Sequence, residues 1–220
     1  MIVPETPAEL IGEFLPKFVG GLLSGPASPA AAASSASKPS LPSANARRAP
    51  APVGVGLRVV GAGEWTLRIV GDQLASERGI APDVALQVSL LERDFVPLVV
   101  APLRRTLAQR AGSGSDAGPA STNLWLRLGR WDEETVELLR QQTSGILLRV
   151  SDGALTRCVA LTPSVQPYSL ESAGCTIDCA LGDLEQLQER RGNPLDLFYA
   201  GQIRISGDAQ IALAMAGLFL

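Results

Sequence analysis

Hydrophobic positions along the chain follow two periodicities. Residues 6–24 repeat at helical spacing, with Ile11, Phe14, Leu15, Phe18 and Leu22 on one side. Thr6 and Glu9 form a capping-box pattern, and Pro7 takes the first helical position, where its missing N–H costs nothing. Pro16 falls inside and is expected to kink the helix or end its first segment. Alternation with period two begins at Gly56. Gly56–Val60 and Trp65–Val70 read as strands joined by a Gly61-Ala62-Gly63 turn. Val84, Leu86 and Val88 alternate with Ala85, Gln87 and Ser89 in a further strand. A helix is expected from near Asp94 towards Gln109, broken up by Pro97 and Pro102. Leu124, Leu126 and Leu128 alternate with Asn123, Trp125 and Arg127 in another strand that Gly129 ends. Asp132 then caps a helix carrying Val136, Leu138 and Leu139.

The same order returns. Ile146–Val150 and Leu155–Leu161 are strands around Asp152-Gly153, a hairpin dipeptide. Cys175–Leu181 is a strand. Asp183 caps a helix with Leu184 and Leu187, closed by Gly192. Asn193-Pro194 opens a short helix through Tyr199 that Gly201 stops. Gln202–Ser206 is a strand, and Gly207-Asp208 starts a last helix to Leu220. Arg58-Val59 corresponds to Arg149-Val150. Val84, Leu86 and Val88 correspond to Cys175, Ile177 and Cys179, and Leu124–Asp132 to Ile203–Asp208. This repetition predicts two related units, residues 56–142 and 143–220. An amphipathic helix at residues 1–24 precedes them. Residues 25–55 form a Pro/Ala/Ser-rich linker with too few bulky apolar side chains to offset the entropy of ordering. Gly112 to Thr122 reads as a flexible loop of the same kind.

Composition narrows the function. With hydrophobic residues at 46% of 220, the chain can build a proper core. A net charge of −3, with no basic stripe, argues against a nucleic-acid partner. The sequence has no histidine, which removes a Ser-His-Asp triad, a Cys-His dyad and His-ligated zinc together. A non-enzymatic protein without cofactor or metal is expected. Cys158, Cys175 and Cys179 are an odd set with no metal motif. The last two stand roughly 13 Å apart on a strand, too far to bridge, so all three read as small core residues. The N-terminus lacks a basic region and carries Glu5 and Glu9, unlike a signal peptide, and no apolar run is long enough to span a bilayer. A cytoplasmic location is expected. The first helix either packs on the protein, or lids its apolar core, or touches a membrane surface through residues 7–23, with Lys17 as its only basic group.

Specific motifs appear in the last third of the chain. Ala173-Gly174-Cys175-Thr176-Ile177-Asp178-Cys179 resembles a strand of the form A-D-C-T-I-T-M in the sterol carrier protein type-two family. Asp183-Leu184 falls where that family opens its next helix. Gly192 to Gly201 resembles its segment G-x-x-x-P-x-x-x-F-F-x-G. Gln202 to Asp208 resembles K-L-K-I-x-G-D/N, and Ala212-Leu213-Ala214-Met215 the helix after it. The resemblance is close over residues 174–220 and looser over 122–173, and suggests a bacterial member. It implies an α/β sandwich: a mixed, mostly antiparallel five-stranded sheet with helices on one face and an apolar tunnel between them for sterols, acyl chains or phospholipids. Bacterial relatives include accessory factors of ubiquinone biosynthesis, so a polyprenyl-quinone intermediate is a further ligand class. The shorter loop between the second and third strands departs from the family.

The residues themselves are consistent with this. The last helix (Ile211, Ala212, Leu213, Ala214, Met215, Ala216, Leu218, Phe219, Leu220) is apolar nearly all round and must be covered on more than one side. The other half, a ligand or a partner could cover it. The expected lipid-lining set is Leu184, Leu187, Phe198, Ile203, Ile205, Ile211, Met215 and Leu218. The alternative is a ligand-free scaffold or dimerisation unit in an enzyme assembly, such as a homodimer.

Overall fold

The computed structural model describes residues 2–23, 54–70, 73–112, 133–163, 173–188 and 193–212. Its centre is one eight-stranded sheet: β1 (Gly54–Val60), β2 (Gly63–Val70), β3 (Gln73–Arg78), β4 (Val84–Leu91), β5 (Gly145–Asp152), β6 (Leu155–Pro163), β7 (Ala173–Ala180) and β8 (Ile203–Gly207), in the order β3-β2-β1-β4-β6-β5-β7-β8. The architecture is mixed α and β, as the alternating segments predict. The two halves share this sheet instead of forming separate sandwiches, because β4 pairs antiparallel with β6 from Leu86↔Pro163 to Leu90↔Val159.

Each half opens with a hairpin whose first strand also takes a parallel neighbour. β1 pairs with β2 and β4, and β5 with β6 and β7. Both parallel ladders shift register at their start. Gly54 and Val55 face Val84 and Leu86, skipping Ala85. Gly145 and Ile146 face Ala173 and Cys175, skipping Gly174. Val59 faces Leu90 and Val150 faces Cys179, so Leu90 is the counterpart of Cys179. The sequence correspondence, which set Val88 against Cys179, is therefore two residues out. A slip of two leaves every side chain on its own face, so alternation alone cannot detect it. The strand expected at Leu124–Leu128, on which a full duplication depends, lies outside the described residues. β3 has no counterpart among the described residues of the second half and was not read from the sequence, since only Leu74 in it is buried.

Turn chemistry places the hairpins as expected. Gly61 and Gly153 take positive φ, and Ala62 N–H donates to Val59 O. Gly207 is held by a different constraint. Its φ is +87°, and a Cβ there would collide with the Gly174 carbonyl, which accepts from Asp208 N–H at 2.9 Å. Gly54 and Val55, assigned to the linker from composition, belong to β1; residues 24–53 lie outside the described residues.

The helices absorb their prolines in one way. α1 (Pro7–Glu9) runs through a π turn at Leu10–Phe14 into α2 (Leu15–Leu23). α3 (Glu92–Phe95) runs through a second π turn at Val96–Val100 into α4 (Ala101–Gly112). In each case a proline, Pro16 or Pro102, is the second residue after the π turn. A wider turn changes the hydrogen-bond step where the missing N–H falls, so the helix continues. The chain thus stays helical through Pro16, Pro97 and Pro102, and none of them ends its segment. Thr6 caps α1 as predicted, accepting from Glu9 N–H and donating to Glu9 Oε2 at 2.8 Å. α5 (Glu133–Gln141), α6 (Leu181–Gln188) and α7 (Pro194–Tyr199) complete the described helices, with residues 209–212 opening the last one. α6 starts two residues before Asp183, which lies in its first turn and accepts from Gln202 Nε2 instead of capping. Asn193 does cap α7, accepting from Leu195 N–H at 3.0 Å.

The N-terminal helix turns its apolar side onto the first half. Leu10, Ile11, Leu15 and Val19 are buried in one cluster with Leu57, Val59, Trp65, Leu67, Leu74, Leu90, Phe95, Val100 and Leu103. Phe14 and Phe18 stack beside it with ring centroids 5.8 Å apart. Arg104 fastens the segment, donating to Val3 O at 3.0 Å and Glu5 Oε1 at 2.9 Å. The side that could have met a membrane is occupied by protein. Among the described residues no helix is long and apolar enough to cross one.

Two measurements check this packing. Leu15→Ala should lower unfolding free energy by about 2–5 kcal/mol in denaturant titration, because it leaves a cavity in a closed core; a loss below about 1 kcal/mol would mean the helix is only laid on the surface. Cys175 and Cys179 are buried, Cys158 is half-buried and all three are free. Burial pushes the Cys179 thiol up to about 11. A thiolate-directed reagent at neutral pH should therefore label Cys175 and Cys179 only at the rate of protein opening, and rapid native labelling of either would contradict the placement.

Candidate functional site

Strand register arranges the helix-side face of the second half into rows. The first row runs Arg157, Val150, Cys179 and Ile203 across β6, β5, β7 and β8. The second runs Val159, Leu148, Ile177 and Ile205. The third runs Leu161, Ile146 and Cys175 to Gly207. Every position of the middle row is aliphatic and β-branched or Leu, and this row continues across the seam to Leu90 and Val59.

Burial differs along that row. Leu90 and Val59, under the N-terminal helix, are 2% and 1% exposed. Val159, Leu148, Ile177 and Ile205 are only partly buried. The rows on either side are closed: Val150, Cys179 and Ile203 in one, Leu161, Ile146 and Cys175 in the other. α6 adds Leu181, Leu184 and Leu187 to this apolar group, all partly buried. Leu98 comes from the second π turn and Leu197 from α7. The result is a strip of incompletely covered aliphatic surface between sheet and helices. Incompletely covered apolar area is what an alkyl or polycyclic ligand would remove from water, at about 25 cal/mol per Å².

One row ends in charge. Arg157 lies opposite Val150 where β4 gives way to α3, and its side chain is 15% exposed. It donates to Asp94 Oδ1 at 3.3 Å and Asp152 Oδ2 at 3.0 Å. Asp94 is buried and also accepts from Cys158 N–H at 3.5 Å, with Arg93 Nε 4.0 Å away. Arg157 Nε is buried without a partner.

The opposite face of the sheet buries Gln87, Ser89, Ala160 and Thr162 at the seam and carries ion pairs away from it. Arg149 pairs with Asp178 through two contacts of 2.6 and 2.8 Å, and Arg58 with Glu64 at 2.6 Å. Asp178 raises the Arg149 pKa, and Arg68 lowers that of Asp83. An open depression of about 370 Å³ on this side is lined by Arg149, Ser151, Thr156, Asp178, Asp183, Gln202 and Arg204 among others. Its ion-paired walls offer an alkyl chain nothing. Among the described residues no group of His, Cys, Asp and Glu could hold a metal ion.

Of the lining residues expected from sequence, the structure brings Leu184, Leu187, Ile203 and Ile205 into the cluster around Val150. Ile211 lies in a neighbouring one with Val136, Leu139, Ile146 and Cys175. Phe198 is in neither. It is 43% exposed and lies edge-on to Tyr199 at 5.8 Å, while Leu197 turns inward. On so short a helix the side facing the sheet is one residue away from the side facing water. Met215 and Leu218 lie outside the described residues. Sequence reasoning missed Leu148, Val159, Ile177, Leu181, Leu197 and Arg157. Alternation around Ile146 and Val150 marked the face of Leu148, but the pairing that lines it up with Val159, Ile177 and Ile205 is not written in any one strand.

Comparison with known proteins bears on this half. A model of the SCP-2 sterol transfer family matches residues 127–220. Several solved structures overlap loosely. Sterol carrier protein 2 from Yarrowia lipolytica, in its apo form, is 15% identical over 46% of this chain and 91% of its own, with a TM-score of 0.33. Sterol carrier protein 2 like 2 from Aedes aegypti is 14% identical over 54% and 94%, with a TM-score of 0.29. A UbiJ-SCP2 ubiquinone synthesis protein is 22% identical over 45% and 84%, with a TM-score of 0.32. A search of curated proteins finds no match. The family match, residues 127–220, spans β5 to β8 and the helices among them that build the aliphatic strip.

Proposed function

We propose that the second half binds a hydrophobic ligand on the helix side of β5, β6, β7 and β8, and that the protein carries or presents this ligand without transforming it. The observation behind this is the partly open middle row, Val159, Leu148, Ile177 and Ile205, between two closed rows in the segment that matches a sterol transfer family. A soluble core normally closes such a row, as Leu90 and Val59 are closed in the first half. Leu184 and Leu187 form the helical wall and Leu181 extends it. Sterols, fatty acyl chains, phospholipids and polyprenyl-quinone intermediates are the ligand classes under consideration. With no histidine in the chain, proton transfer near neutral pH would fall to a carboxylate or Lys with a strongly shifted pKa, which favours carriage over hydrolysis. We place the protein in the cytoplasm on the same footing.

Extraction of the purified full-length protein followed by mass spectrometry tests the reading. A lipid at close to one per chain is expected. Ile177→Trp should then lower uptake of a fluorescent alkyl probe at least several-fold while the melting temperature stays near that of the parent. A Trp forced into a close-packed core would instead cost about 1–3 kcal/mol or more. No co-purifying lipid, no probe uptake and a sharp fall in melting temperature would favour a ligand-free scaffold.

A further inference from the structure

We infer that Arg157 is the polar anchor of the ligand site, and that it selects a neutral oxygen acceptor, such as a hydroxyl or a ketone or quinone carbonyl, over a carboxylate. This rests on the proposed hydrophobic site and assigns the head group of its occupant. Arg157 is two residues from Val159 on β6, so both side chains stand on the helix side of the sheet. It therefore marks the end of the aliphatic strip at which a head group would sit.

The chemistry of the anchor follows from what is already bound to it. A guanidinium has five N–H donors and no acceptor. Asp94 and Asp152 take Nη donors of Arg157, while Nε is buried with none. A buried donor without an acceptor costs about 1–3 kcal/mol, and a ligand oxygen that reaches it recovers that loss. Protein atoms cover Nε here, so the acceptor arrives as the ligand parts the side chains above it. The charge balance sets which acceptor fits. Two carboxylates, Asp94 and Asp152, already face Arg157, and the nearby Arg93 is mostly exposed. A third carboxylate would be repelled by both. A neutral oxygen accepts from Nε–H without that repulsion.

Competition against a neutral fluorescent alkyl probe decides the matter, using the full chain and four competitors with the same saturated chain. These end in a methyl, a hydroxyl, a methyl ketone or a carboxylate. The hydroxyl and ketone should compete about tenfold better than the methyl-terminated chain, and better than the carboxylate. In Arg157→Lys the cation stays for Asp94 and Asp152 but the Nε–H is gone. That preference should then vanish while uptake of the probe persists. Equal competition by all four, tighter binding of the carboxylate, or an unchanged preference in Arg157→Lys would each overturn the inference while leaving the hydrophobic site standing. Failure of the parent protein to take up the probe would overturn both. If Arg157→Lys does not fold, the order of the four competitors on the parent protein still decides.

Discussion

The structure depends on the pairing of β4 with β6. This ladder joins Leu86, Gln87, Val88, Ser89 and Leu90 to Pro163, Thr162, Leu161, Ala160 and Val159, and makes one sheet out of two hairpin-based halves. It also sets the faces. Since side chains alternate, fixing Val88 against Leu161 places Leu57 and Trp65 on the same side as Ile146, Cys175 and Ile177. All the described helices that bury apolar residues draw on this side. A one-residue slip at the seam would turn one half over relative to the other, setting Gln87 and Ser89 on the side of the second half's helices and Leu86 and Leu90 on the side of its ion pairs.

The same seam divides the apolar face by how well it is covered. On the first half, the N-terminal helix and the α3–α4 segment close it over Leu57, Val59 and Leu90. On the second half, the described coverage comes from α5, α6, α7 and residues 209–212, none of them longer than nine residues. Short helices cover less area, and the middle row stays partly open. Asp94 and Arg157 stand at the boundary between the two regimes, one contributed by each half. Removing either would leave the other charged and buried, which typically costs several kcal/mol, so the pair also fixes α3 against β6.

Local chemistry was legible in the sequence where it was self-contained. The Asp152-Gly153 hairpin, the Thr6 and Asn193 caps and the alternation in β4, β5 and β6 each depend on neighbouring residues only. The family motifs read in residues 174–220 fall within the segment, residues 127–220, that the family model matches. Three things were not legible. Helix continuity past Pro16 and Pro102 needs a π turn, which no local pattern announces. The parallel register of β4 and β7 depends on residues skipped at Ala85 and Gly174, and a two-residue error keeps the alternation intact. The side of α7 that faces the sheet is decided by how Leu197 packs on Ile203 of the next strand, which the run Leu195, Leu197, Phe198 and Tyr199 does not announce, since it offers apolar residues to more than one side.

The central claim is that the aliphatic strip of the second half is the ligand surface and that the first half is closed. Methyl NMR of the protein loaded with a saturated alkyl ligand tests it most directly, through intermolecular contacts between ligand protons and assigned Leu, Ile and Val methyls. The account predicts contacts to Leu148, Val159, Ile177 and Ile205, and none to Leu57, Val59 or Leu90. Contacts centred on the first-half methyls, or none to the middle row of the second half, would contradict it.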